Sequence, residues 1–106
     1  MVLYTHAGPE ISVASTKAFS VQMAVMYLLA YEMAYAKGTI TEEECRRLTA
    51  ELQKIPEMIE KTMECEDRCK YVASKLITAT SLLYIGRGLD YTLSMEGSLK
   101  LKEISY

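Results

Sequence analysis

The chain has no excess of positive charge, no disulfide framework and no long uncharged apolar run, and each lack removes a class of function. Twelve Lys and Arg stand against fourteen Asp and Glu, a net charge of −2. Nucleic-acid binding asks for a basic patch or stripe, so no nucleic-acid partner is expected. The three cysteines, Cys45, Cys65 and Cys69, are odd in number, and no secretory signal is expected to precede them. They suit a reducing compartment better than a set of disulfides, and the chain reads as cytoplasmic. Cys65 and Cys69 lie four apart, but two thiolates without a nearby histidine or second cysteine pair do not complete a zinc site; no metal and no cofactor is expected. Tryptophan is missing and phenylalanine occurs once, yet eight tyrosines and a hydrophobic share of 50% make a globular composition, without disordered or low-complexity segments. A chain of 106 residues has room for one small domain and buries well under three-quarters of its unfolded surface.

Read in order, the chain opens on a short apolar run, Val2–Thr5, that resembles the end of a strand, and breaks at Gly8-Pro9. Ser12-Val-Ala-Ser-Thr16 is rich in N-cap candidates and precedes a helical run from about Lys17 to Lys37 that stops at Gly38. Between Ala18 and Ala36 the plainly polar residues are Ser20, Gln22 and Glu32. A membrane span wants about 20 consecutive apolar residues; Glu32 interrupts this run and caps bound it, so no membrane partner is expected. The helix is expected instead to be buried by a sheet, by neighbouring helices or by a second subunit. Its face of Met23, Met26, Tyr27, Ala30 and Ala34 suits a subunit interface, and a homo-oligomer is expected.

Thr41-Glu-Glu-Glu44 is a capping box, Thr41 accepting from the first turn and Glu44 reaching back. Apolar residues at Cys45, Leu48, Leu52, Ile55 and Ile59 give one narrow stripe, which Pro56 splits into two helices. Asp67 is placed to cap a third helix running to about Thr78. Ser81–Ile85 reads as a buried strand, Gly86-Arg-Gly88 as a tight turn, and Asp90 as the cap of a last helix. Strand, glycine turn and helix in that order open a parallel α/β unit.

Chemistry concentrates in the last helix. At about 100° per residue, Glu96, Lys100 and Glu103 fall within about 60° of one another. Leu93, Leu99 and Ile104 flank them, so the charged stripe lies inside the apolar arc rather than opposite it. Burying such groups costs several kcal/mol unless they are paired or needed, and carboxylates in such settings serve proton transfer. The plain alternative is that Glu96 and Lys100 are a stabilising i,i+4 pair, with Glu103 exposed.

Met95-Glu-Gly-Ser-Leu-Lys-Leu-Lys-Glu-Ile-Ser-Tyr106 closely resembles the "LEGALKLKEISY" signature of the isomerising glutamine–fructose-6-phosphate aminotransferase family. Ala7-Gly-Pro-Glu-Ile-Ser-Val-Ala-Ser-Thr-Lys-Ala-Phe19 resembles that family's "AGxEIGVASTKAF" segment, and Gly86-Arg87-Gly88 sits where the family has "GRG". The resemblance spans essentially the whole chain, in pattern only from about Gly38 to Thr80. It implies a piece of a doubly wound, parallel-sheet sugar-isomerase (SIS) fold, mostly α with one or two short strands. Residues 1–38 would end a first sugar-isomerase subdomain, 39–80 would be a helical connection and 81–106 would begin a second.

The resemblance also implies the chemistry: conversion of fructose 6-phosphate and glutamine-derived ammonia to glucosamine 6-phosphate. Glu103 matches the glutamate that moves a proton between C1 and C2 of the open-chain sugar. Lys100 matches the lysine held beside it, Glu96 matches an acidic residue of the same stripe, and Val13, Ala14 and Ser15 match the segment that lines the sugar. Lys17 matches a motif position without an evident role, and Ser12 stands where the family usually has glycine. The remaining site residues of the family have no counterpart here, so the stretch alone is expected to be inactive and to depend on the rest of the synthase chain. His6 reads as an ordinary turn residue. Two other readings share the same residues: a fructosamine-phosphate deglycase on the related scaffold, and a non-enzymatic sugar-phosphate-binding or helical interaction module.

Overall fold

The computed structural model describes residues 2–105. Five helices follow one another: α1 (Lys17–Ala36), α2 (Glu42–Leu52), α3 (Ile55–Met63), α4 (Glu66–Leu76) and α5 (Leu89–Ser105). They belong to two compact units, one of residues 22–78, the other of residues 2–21 and 79–105.

Each helix boundary has a local cause. Past the end of α1, Gly38 turns left-handed at φ 71°. Its N–H donates to Tyr35 at 2.9 Å and that of Thr39 to Ala34 at 2.9 Å, and the Thr39 hydroxyl bonds the same Ala34 carbonyl. That is a Schellman closure, which glycine adopts without Cβ strain. Thr41 caps α2 by accepting from the Glu44 amide at 3.1 Å. The reciprocal half of the expected box is absent: Glu44 turns to Arg47 at 3.3 Å instead, because an ion pair within the helix competes for its carboxylate. Pro56 does split the stripe, sitting at the start of α3, where a missing N–H costs nothing. Asp67 and Asp90 fall inside the first turns of α4 and α5 rather than at their caps; both still favour the helix dipole from there.

One expectation is corrected. No strand forms among the described residues: 2–5 and 81–85 are irregular. An extended segment becomes a strand only when its amides and carbonyls pair with a neighbour, and neither run finds one. Helix α1 stays open within this chain; a covering sheet or second subunit would come from outside it. No residue of α1 is fully covered, and Met26 and Met33 are 64% and 58% exposed. Within the 22–78 unit, α2 meets it at Glu32, whose carboxylate lies 4.0 Å from Cys45 Sγ. Among the described residues Cys45 is the one buried apolar residue. No described helix is long and apolar enough to cross a membrane.

Cys65 and Cys69 are exposed, contrary to the small semi-buried role such residues commonly fill, while Cys45 is 7% exposed. Thiol reactivity follows access. Titration of the chain with a thiol reagent should therefore show two fast groups and one slow, the slow one joining the others in denaturant. Three equal rates would contradict the burial of Cys45.

Candidate functional site

Residues 79–105 place their chemistry on α5. The segment 81–86 reaches the helix through three local contacts. The Ser94 hydroxyl donates to the Ile85 carbonyl at 2.9 Å, the Tyr84 ring lies against Gly97, and Gly86 packs on the backbone of Asp90 and Tyr91. Gly88 supplies the left-handed turn between, at φ 62°.

On this helix Lys100 Nζ lies 3.0 Å from Glu103 and 3.4 Å from Glu96. All three side chains are half-buried, at 23%, 27% and 24% exposure. The five ion pairs of α2, α3 and α4 have side chains 49–78% exposed, and such pairs contribute about 0.5 kcal/mol or less. The α5 cluster differs in kind. Solvent is partly withdrawn, one cation serves two carboxylates, and Glu103 is not the exposed bystander of the plain alternative. The apolar flank behaves in the opposite way from a packed helix: Leu93, Met95, Leu99 and Ile104 are 47–66% exposed. In this unit the charged stripe is the more covered face.

The hydrogen bond to Glu103 raises the Lys100 ammonium above the ordinary lysine range; burial opposes this, and Glu96 adds to it. A group whose folded pKa is raised contributes stability in full below its unfolded value, about 10.4, and loses it as pH rises through the folded value. Urea midpoints of the chain and of its Lys100→Met form should thus differ by a constant amount from pH 7 to about pH 10, and the gap should narrow above that. A gap independent of pH up to 11.5 would contradict the cluster.

The other predicted residues lie in the same unit but make no hydrogen bond or ion pair with the α5 cluster among the described residues. Val13 is 79% exposed, Ala14 and Ser15 are half-buried. Ser12 is not left-handed, His6 being the one described non-glycine residue with positive φ, at 53°; serine at 12 meets no glycine-only requirement. Lys17 acquires a role the sequence did not suggest: its Nζ donates to the Pro9 carbonyl at 2.6 Å. Glu10, which the pattern of N-cap candidates passed over, reaches both Ser15 Oγ and the Ala18 amide at 3.4 Å. Its signal was position within the AGPEISVASTKAF block, eight residues before the helix amide it meets. A cleft of about 540 Å³ opens between 82–84 and α5, lined by Ser94, Ser98, Leu99 and Lys102 among others; the charged cluster lies outside it.

Two carboxylates thus share one ammonium on a single helix, half withdrawn from water. Several enzymes of one name are similar to the chain along its length. It is 50% identical over 105 residues, 99% of its length, to the isomerising glutamine–fructose-6-phosphate aminotransferase of Clostridium tetani. It is 48% identical to that of Zymomonas mobilis and 43% identical to that of Thermococcus kodakarensis, over its whole length in both cases. The family resemblance carried by the three sequence blocks is thus borne out along the full chain. The chain spans 17–18% of the length of these relatives. No family model matches it, and no solved structure does.

Proposed function

We propose that this chain is the part of an isomerising glutamine–fructose-6-phosphate aminotransferase that carries the base of the sugar isomerisation. The observation that supports it is the half-buried Glu96–Lys100–Glu103 cluster, in a stretch similar throughout to enzymes of that name. Ammonia condenses with the C2 carbonyl of open-chain fructose 6-phosphate, releasing water. The Glu103 carboxylate then takes a proton from C1 and exchanges it with solvent; a proton delivered to C2, with the O1 hydroxyl proton passing to nitrogen, leaves an aldehyde at C1 and an amine at C2: glucosamine 6-phosphate. Lys100, fixed between two carboxylates, holds Glu103 in one rotamer and offers positive charge to the anionic intermediate. Glu96 completes that fixation. Val13, Ala14 and Ser15 line the sugar through backbone groups and a hydroxyl.

The scaffold is that of a parallel-sheet sugar isomerase, with residues 1–38 and 81–106 drawn from two subdomains and 39–80 connecting them. Exposed Leu83 and Ile85, 91% and 87% uncovered, then meet the neighbouring strands of the complete enzyme, and the exposed α1 face meets a second copy. Alone, the stretch is inactive. The test is solvent exchange in the full-length enzyme. In deuterium oxide the native enzyme should place deuterium at C2 of the product, and Glu103→Gln should still bind fructose 6-phosphate without labelling it. Undiminished labelling by the variant overturns the reading.

A further inference from the structure

We propose that Glu10 is a positioning residue for sugar binding: it shapes the loop that presents Val13–Ser15 and fixes the direction of the Ser15 hydroxyl. The inference rests on the reading of that loop as sugar-lining. Residues 9–16 form no helix or strand, so side chains must hold the loop's shape. Two crossing links do so. Glu10 Oε2 accepts from the Ser15 hydroxyl and from the Ala18 amide, each at 3.4 Å, and Lys17 Nζ donates to the Pro9 carbonyl at 2.6 Å. Together they fold 9–10 back onto 15–18 and leave Ile11 and Val13 uncovered, 96% and 79% exposed.

Helix α1 has no acidic residue in its own first turn. Its Ala18 amide instead meets a carboxylate from outside the helix, and Glu10 acts as a distant N-cap. The consequence for recognition lies at Ser15. A hydroxyl has one proton and two lone pairs; the Glu10 carboxylate, 3.4 Å away, is the acceptor to which the Ser15 proton turns in this proposal. Ser15 therefore meets a ligand as an acceptor, suited to a sugar hydroxyl that donates, and not as a donor to a phosphate oxygen.

The test uses steady-state kinetics of the full-length enzyme on fructose 6-phosphate. Glu10→Ala should raise KM by about tenfold while kcat changes less than about threefold. Glu10→Gln retains an acceptor oxygen and should recover KM to within about threefold of native. Should the alanine variant fail to fold, Glu10→Asp, one methylene too short to reach both donors, should raise KM severalfold with an unchanged melting temperature. Unchanged KM in a folded alanine or aspartate variant overturns the proposal, as does an equal loss of kcat and KM that glutamine does not rescue. Failure of the native enzyme to turn over fructose 6-phosphate would instead overturn the functional reading beneath it.

Discussion

Glu103→Gln in the full-length enzyme should lower kcat for glucosamine 6-phosphate formation by about 10²–10⁴-fold, the usual share of a positioned general base. The substitution is nearly isosteric, and the amide oxygen can still accept from Lys100 across the 3.0 Å that now separates the ammonium from the carboxylate. What disappears is the ability to take a proton. KM for the sugar phosphate should therefore stay within a few-fold, and glutamine hydrolysis should remain measurable. Product formation by direct assay, beside a glutaminase assay on the same preparation, separates the two. A kcat within a few-fold of native would remove Glu103 from the role of base.

A second large effect is structural. A methyl group on Gly86 would run into the carbonyl of Asp90 and the amide of Tyr91. Both are backbone atoms of the first turn of α5, so neither can swing aside as a side chain would. Gly86→Ala should destabilise the 106-residue chain by about 3 kcal/mol, a fall in melting temperature on the order of 10–20 °C. Thermal unfolding followed by circular dichroism measures it. The control is Gly97→Ala, which meets only the edge of the Tyr84 ring at 3.1 Å; the ring can turn aside, and alanine favours a helix interior, so its cost should be far smaller. Equal melting temperatures for Gly86→Ala and the native chain would mean that segment 81–86 does not rest on α5.

Much of the local structure was legible because its causes are local. Gly38, Thr41 and Pro56 act within a turn of where they stand, and each acts as its residue type predicts. The α5 cluster was legible for the same reason: spacings of three and four put Glu96, Lys100 and Glu103 together on any helix. The illegible parts depend on partners far along the chain or outside it. Segments 2–5 and 81–85 have strand composition, but composition supplies no pairing partner. The apolar face of α1 signals that something covers it, without saying that residues 22–78 do not. Glu10 was missed because its cap reaches an amide eight positions further on, beyond any N-cap pattern, which looks one to three residues ahead.

The three groups of the α5 cluster sit on consecutive turns of one helix, so their mutual geometry requires no loop to close and no second element to arrive. Helical turns form in under a microsecond, long before distant segments meet. During synthesis the two carboxylates and the ammonium are therefore brought together as soon as those two turns exist, and later docking decides only what they face. Substitutions elsewhere in the protein can tilt or displace the group as a block. To change the distances inside it, a mutation must fall on α5.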